Sequence, residues 1–101
     1  MQVLCRRSGE MILVRLEGEL DHHTAQKVRQ TLEDAIRDPS VRQMTMDLSG
    51  LTFMDSSGIG VLLGRYKTLA SRGGWLKVEK ARPEIERIMR MAGLFSVLRR
   101  G

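Results

Sequence analysis

One cysteine, four aromatic residues and two prolines are all that this 101-residue chain holds of those types. The lone Cys5 cannot form an internal disulfide and has no second thiol for a tetrahedral metal site. A reducing, cytoplasmic setting is therefore expected. The net charge of +5 and a pI near 10.1 raise the question of nucleic acid. However, the basic residues are scattered from Arg6 to Arg100, and no aromatic alternates with them as a base-stacking platform requires. They read as solvated helix faces and strand edges, and no direct nucleic-acid contact is expected. The longest apolar clusters, such as IGVLLG, fall far short of a membrane span. The N-terminal MQVLCRRSGEMILV places its basic residues after its first apolar ones, which is not the order of a signal peptide. No membrane partner is expected. Linkers, repeats and low-complexity tracts are also missing.

What remains is an ordinary soluble balance, 42% hydrophobic and 29% charged, in a length that suits one compact domain. Val3 to Arg7 and Met11 to Glu17 read as two strands joined by a tight turn at Ser8-Gly9-Glu10. Asp21-His22-His23-Thr24 precedes an apolar stripe at Ala25, Val28, Leu32, Ala35 and Ile36, the spacing of a helix that Asp38-Pro39-Ser40 ends. Asp21 is the expected cap. Val41, Met44, Met46 and Leu48 suit a short buried strand, loosened at its end by Ser49-Gly50. A second helix is expected from about Ser57 to Ser71, with Ile59, Leu62, Leu63, Tyr66, Leu69 and Ala70 inward and Gly73-Gly74 as its stop. Trp75 to Val78 reads as a further parallel strand. Pro83 opens a third helix with Ile85, Ile88, Met89 and Ala92 on its inner face, Gly93 ends it, and Leu94 to Leu98 is a last short apolar segment.

Strands alternating with helices predict an α/β domain with a mixed, mostly parallel sheet in sequential order and crossover helices mainly on one face. The C-terminal strand ends of such a sheet share one rim, where partners bind. The segments Gly18 to His23, Ser49 to Ser56 and Glu79 to Arg82 are expected along it. This rim carries the adjacent pair Ser56-Ser57.

Several chemistries for the pair are disfavoured by spacing. A nucleophile elbow needs glycine two residues before the serine, and neither has one. His22 and His23 share the rim but have no evident carboxylate orienter for a hydrolytic triad. Gly58, Gly60 and Gly64 are spaced one residue too long for the dinucleotide fingerprint, and no G-K-[ST] is present. Neighbouring side chains such as His22-His23 point apart and rarely chelate one ion. Neither cofactor nor metal is expected, and Met44, Met46, Met89 and Met91 read as core filler.

One serine, Ser57, suits a helix cap. The other, Ser56, suits phosphorylation: a helix N-terminus tolerates a phosphate dianion, while the same charge would disrupt an interface laid over it. Ser56, Gly60, Gly64 and Thr68 recur every four residues and predict a smooth helix strip that a partner backbone approaches closely.

FMDSSGIGVLLGRYK, GELDHHTA (Gly18 to Ala25) and MAGLF (Met91 to Phe95) together resemble the anti-sigma factor antagonists of the STAS domain family, most closely the sporulation type of the sigma-F system. The resemblance runs from about Val3 to Leu98. It implies a single STAS domain over residues 1–101 that is not an enzyme but a kinase substrate. The unphosphorylated form would bind an anti-sigma factor with serine-kinase activity and free its sigma factor. Phosphorylation of Ser56, directly after Asp55, would release the antagonist, and a PP2C-type phosphatase would restore it. A STAS protein of a stress-response partner-switching pathway is the first alternative, and a nucleotide- or nucleic-acid-binding domain stands behind it. Combined with the rim, the resemblance implies a docking surface of Glu19, Asp21, His22, Asp55, Ser56, Ser57, Gly58, Gly60 and Gly64. The basic pI and a C-terminus that stops before the family's usual last helix depart from the pattern.

Overall fold

The computed structural model describes all of residues 1–101. Its elements in chain order are β1 (Gln2–Ser8), β2 (Met11–Leu20), α1 (Ala25–Ala35), β3 (Gln43–Met54), α2 (Ser56–Ser71), β4 (Trp75–Glu79), α3 (Pro83–Met91), a 3-10 turn (Leu94–Ser96) and β5 (Arg99–Arg100). The sheet runs β1-β2-β3-β4-β5, with β1 antiparallel to β2 and every later pair parallel. When parallel neighbours are added in sequence order through right-handed crossovers, all the helices fall on one face.

That face holds the core. Val14 and Leu16 on β2, Met44, Met46 and Leu48 on β3, and Leu76 and Val78 on β4 are buried against Val28 and Leu32 of α1, Leu62 and Leu69 of α2, and Ile85 and Met89 of α3. The α1 stripe is as the spacing predicts. In α2 Leu62 and Leu69 are buried and Ile59, Leu63 and Tyr66 pack against the core as predicted, while Ala70 is exposed and Gly58, Val61 and Arg65 join the buried set. Val61 and Arg65 face α1, a seam the stripe did not include. Arg65 bridges that seam, its guanidinium 3.4 Å from the Arg29 carbonyl and 3.8 Å from the Glu33 carboxylate. Met91 and Ala92 are also exposed rather than inward, because α3 ends there and the chain turns away at the left-handed Gly93.

Two corrections concern the rim. First, Ser49-Gly50 does not end β3, which runs on to Met54, and β2 likewise runs on past Glu17 to Leu20. The two strands stay paired through two register shifts, between Arg15 and Glu17 and between Gly18 and Glu19. Gly50 makes this possible. A Cβ there would sit 2.9 Å from the Glu17 Cγ and 3.1 Å from the Leu16 carbonyl oxygen, so only glycine lets the strands close at the irregularity. The buried Leu51 and Met54 hold the extension to the core.

Second, the rim is stepped. β4 pairs with β3 only as far as Glu79 opposite Asp47, whereas β3 continues to Met54. The extra length is roughly 20 Å at about 3.3 Å per residue. The Glu79–Arg82 segment therefore lies beside the middle of β3, with the Arg82 Nε donating to the Ser49 carbonyl at 3.1 Å. It does not join the β2 and β3 ends. Beyond the last apolar segment, β5 pairs Arg99 and Arg100 with Lys77 and Val78, a strand that two arginines did not announce.

Candidate functional site

The ends of β2 and β3 deliver two short turns side by side. Asp55 N–H donates to the Leu20 carbonyl at 3.3 Å, which ties the two strand ends together. The Asp55 carboxylate then divides its work. Oδ1 accepts from the backbone N–H of Ser57 at 2.8 Å and of Gly58 at 3.4 Å, so Asp55 caps α2. Oδ2 accepts the His22 N–H at 3.2 Å and lies 3.9 Å from the His22 Nδ1. One side chain thus fastens the β2–α1 turn to the start of α2.

This overturns the expectation that Ser57 caps the helix. Aspartate is as good a cap as serine and stands one position earlier, in the extended conformation a cap requires. Helix α2 consequently starts at Ser56, which is exposed at the first helical position, while Ser57 is half-buried. Replacing Asp55 by Ala is expected to cost about 1 kcal/mol or more, since both α2 and the neighbouring turn lose a partner. Ser57→Ala is expected to stay within about 0.5 kcal/mol of the wild type. Thermal denaturation of the two variants checks the assignment.

Asp21 shapes the facing turn. Its Oδ1 accepts from His23 N–H at 2.9 Å and Thr24 N–H at 3.1 Å, and the Asp21 carbonyl accepts from Ala25 N–H at 2.8 Å. Asp21 is therefore not the cap expected: Thr24 holds the cap position of α1 with no side-chain cap bond, and the Asp21 carboxylate instead fastens the turn ahead of the helix. Partial desolvation works to raise its pKa, but the N–H groups of His23 and Thr24 together outweigh it and hold the carboxyl below its ordinary value. Thr24, which the sequence did not single out, braces the turn: its hydroxyl donates to the Glu19 carbonyl at 2.8 Å and accepts from Asp21 N–H at 3.1 Å. His22 and His23 do not point apart as neighbours on a regular element would: in this turn their rings stack with centroids 3.9 Å apart and a 40° tilt. No group of three His, Cys, Asp or Glu side chains is placed to hold a metal ion.

Gly58 is buried where α2 meets the strand ends. A Cβ there would lie 2.7 Å from the Met54 Cγ and 3.0 Å from the Leu20 carbonyl oxygen. Gly60 and Gly64 differ: nothing lies within 4 Å of a Cβ at either. With exposed Ser56 they form an open strip, and beside it a cleft of about 350 Å³ is lined by His22, Gln26, Arg29, Ser57 and Gly60. Glu19, exposed, pairs across the strands with Phe53, itself 46% exposed and absent from the sequence-derived set. Its signal is faint, since an aromatic residue in a strand ordinarily reads as core.

The arrangement can present one serine hydroxyl at a helix N-terminus, directly after Asp55 and beside the turn that Asp55 fastens. It is poorly suited to nucleophilic catalysis, because the nearby carboxylate is committed to backbone N–H groups. The STAS domain pattern matches residues 2–100. The chain is 40% identical over 98 residues to an anti-sigma F factor antagonist of Paenibacillus polymyxa, covering 97% of this chain and 84% of that one. It is 30% identical over 93 residues to an anti-sigma-B factor antagonist of Listeria monocytogenes, covering 91% and 80%. Among solved structures it resembles the Bacillus cell fate determinant SpoIIAA in its phosphorylated form, at 29% identity and a TM-score of 0.78 over 99% of this chain and 91% of that one. The unphosphorylated form gives 27% identity and a TM-score of 0.79 over 99% and 87%.

Proposed function

The chain belongs to the STAS domain family, and on that premise we propose that it is an anti-sigma factor antagonist of the sigma-F type, switched off by phosphorylation of Ser56. The observation that carries the reading is the Asp55 clamp. It puts an exposed serine at the first position of α2 and fixes the Asp21-His22 turn beside it. The unphosphorylated form binds an anti-sigma factor that is also a serine kinase, and the sigma factor is released. A phosphate of about −2 charge at Ser56 is tolerated by the helix N-terminus but not by a closed interface containing Asp55, Asp21 and Glu19. A PP2C-type phosphatase resets the switch. The docking surface is formed by Glu19, Asp21, His22, Asp55, Ser56, Ser57, Gly60 and Gly64, with Gly58 setting the packing beneath it.

The stress-response branch is the weaker alternative, since the sigma-B relative is less similar. No helix is long and apolar enough to cross a membrane, and the reading needs none. The reading is tested by mixing the chain with an anti-sigma F factor–sigma factor complex. The unphosphorylated chain is expected to displace the sigma factor and the phosphorylated chain to leave it bound. Failure of the unphosphorylated chain to displace it would refute the reading.

Gly60 separates docking from stability. With open space around it, Gly60→Ala is expected to stabilise α2 by about 0.5–1 kcal/mol, the helix propensity difference. The added methyl nevertheless stands between the strip and an approaching backbone. Affinity for the anti-sigma factor is expected to fall about tenfold while the melting temperature rises, read by calorimetric titration and thermal denaturation.

A further inference from the structure

Phe53 is a large apolar side chain left 46% exposed at the end of a strand whose neighbours Leu51 and Met54 are buried. The exposure has a structural origin. β3 outruns β4 beyond Asp47, so its last residues have a strand neighbour on the β2 side only, where Phe53 is paired with Glu19. The other exposed large apolar residues are Met1, Leu4, Met91 and Val97, and none of them is aromatic. Phe53 alone stands in the switch segment, two residues before the capping Asp55 and three before Ser56.

We propose that Phe53 is the apolar anchor of the switch surface, received by an apolar socket on the anti-sigma factor. This inference rests on the docking reading above and names a contact within it. Three residues span at most about 11 Å of extended chain. A standard interface buries about 800 Å² on each partner, equivalent to a disc of roughly 16 Å radius. A partner whose grip is broken by a phosphate must lie over Ser56, and a footprint of that size centred there reaches Phe53. Aromatic side chains near the centre of an interface, ringed by polar groups, are the ones whose truncation costs most. Glu19, exposed and paired with Phe53 across the strands, is a polar neighbour of this kind.

The test compares wild type, Phe53→Leu, Phe53→Asn and Met91→Ala as kinase substrates and as binders of the anti-sigma F factor, with thermal denaturation of each. Phe53→Asn is expected to raise both the Kd and the KM for phosphorylation by about 30-fold or more, with kcat within about twofold. Phe53→Leu, which keeps an apolar side chain, is expected to fall in between. Met91→Ala, exposed on another element, is expected to match wild type. Kd and KM within about twofold of wild type for folded Phe53→Asn would overturn the proposal, as would Phe53→Leu weakening as much as Phe53→Asn. If Phe53→Asn does not fold, the Leu variant decides: its Kd within about twofold of wild type overturns the proposal. An unphosphorylated wild type would instead count against the proposed function itself.

Discussion

Ser56→Asp is expected to bind the anti-sigma factor at least about 100-fold more weakly than wild type, and Ser56→Ala to bind within a few-fold of it while accepting no phosphate. The first effect follows from where the new charge falls. Ser56 is exposed at the first position of α2, directly after Asp55, whose carboxylate ties the His22 turn to the helix start. A carboxylate added there stands next to Asp55, and closing an interface over it strips the water that solvates it. A hundredfold loss is about 2.7 kcal/mol, which is within the range for an uncompensated charge at an interface. Within the isolated domain the same charge meets the N–H groups of the first turn and is tolerated. Ser56→Asp should therefore melt within about 1 kcal/mol of wild type, so that binding is lost from a folded protein. Calorimetric titration and thermal denaturation on the same samples read the two effects separately.

Gly74→Ala is expected to be the most damaging single-methyl addition in the chain. A Cβ at Gly74 would sit 1.5 Å from the Arg42 carbonyl oxygen and 2.5 Å from its carbon. That carbonyl accepts the Trp75 N–H at 3.1 Å, and the Gly74 N–H closes the end of α2 on the Leu69 carbonyl at 2.9 Å. Backbone cannot yield as a side-chain tip can, so β4 must separate from the start of β3. A cost of about 3 kcal/mol or more is expected, which lowers the melting temperature by more than about 12 °C in a domain of this size. Gly74 lies at the opposite end of α2 from Ser56, so the folded fraction should still be phosphorylated at low temperature. Circular dichroism melts and phosphorylation in the cold check both halves of the expectation.

The parts of the fold that were legible in the sequence share one property: their signal is local. The α1 stripe, the Gly73-Gly74 stop and Pro83 at the start of α3 each follow from residues within one or two turns. Non-local features were not legible. Ser49-Gly50 looks like a strand end until the paired strand is known, because Gly50 is required by Glu17 and Leu16 across the gap. The stepped rim depends on β4 being short relative to β3, which no periodicity reports. Arg65 looks like a surface residue on its own helix and is buried only because α1 packs over it.

At the site, the D-S-S-G segment and the acidic turn at Asp21 were legible as neighbours on one rim, and the structure joins them through Asp55. The division of labour within it did not follow from residue types, since aspartate and serine are comparable caps and only backbone conformation decides between them. The structure gives the cap to Asp55, and this leaves Ser56 free.

The central claim is that Ser56 is the switch. Intact-mass spectrometry after incubation with ATP and the anti-sigma F factor, using wild type, Ser56→Ala and Ser57→Ala, tests it most directly. One added phosphate on wild type and on Ser57→Ala, with none on Ser56→Ala, is the predicted result. A phosphate retained on Ser56→Ala, or none on wild type from a kinase proven active on another substrate, would contradict it.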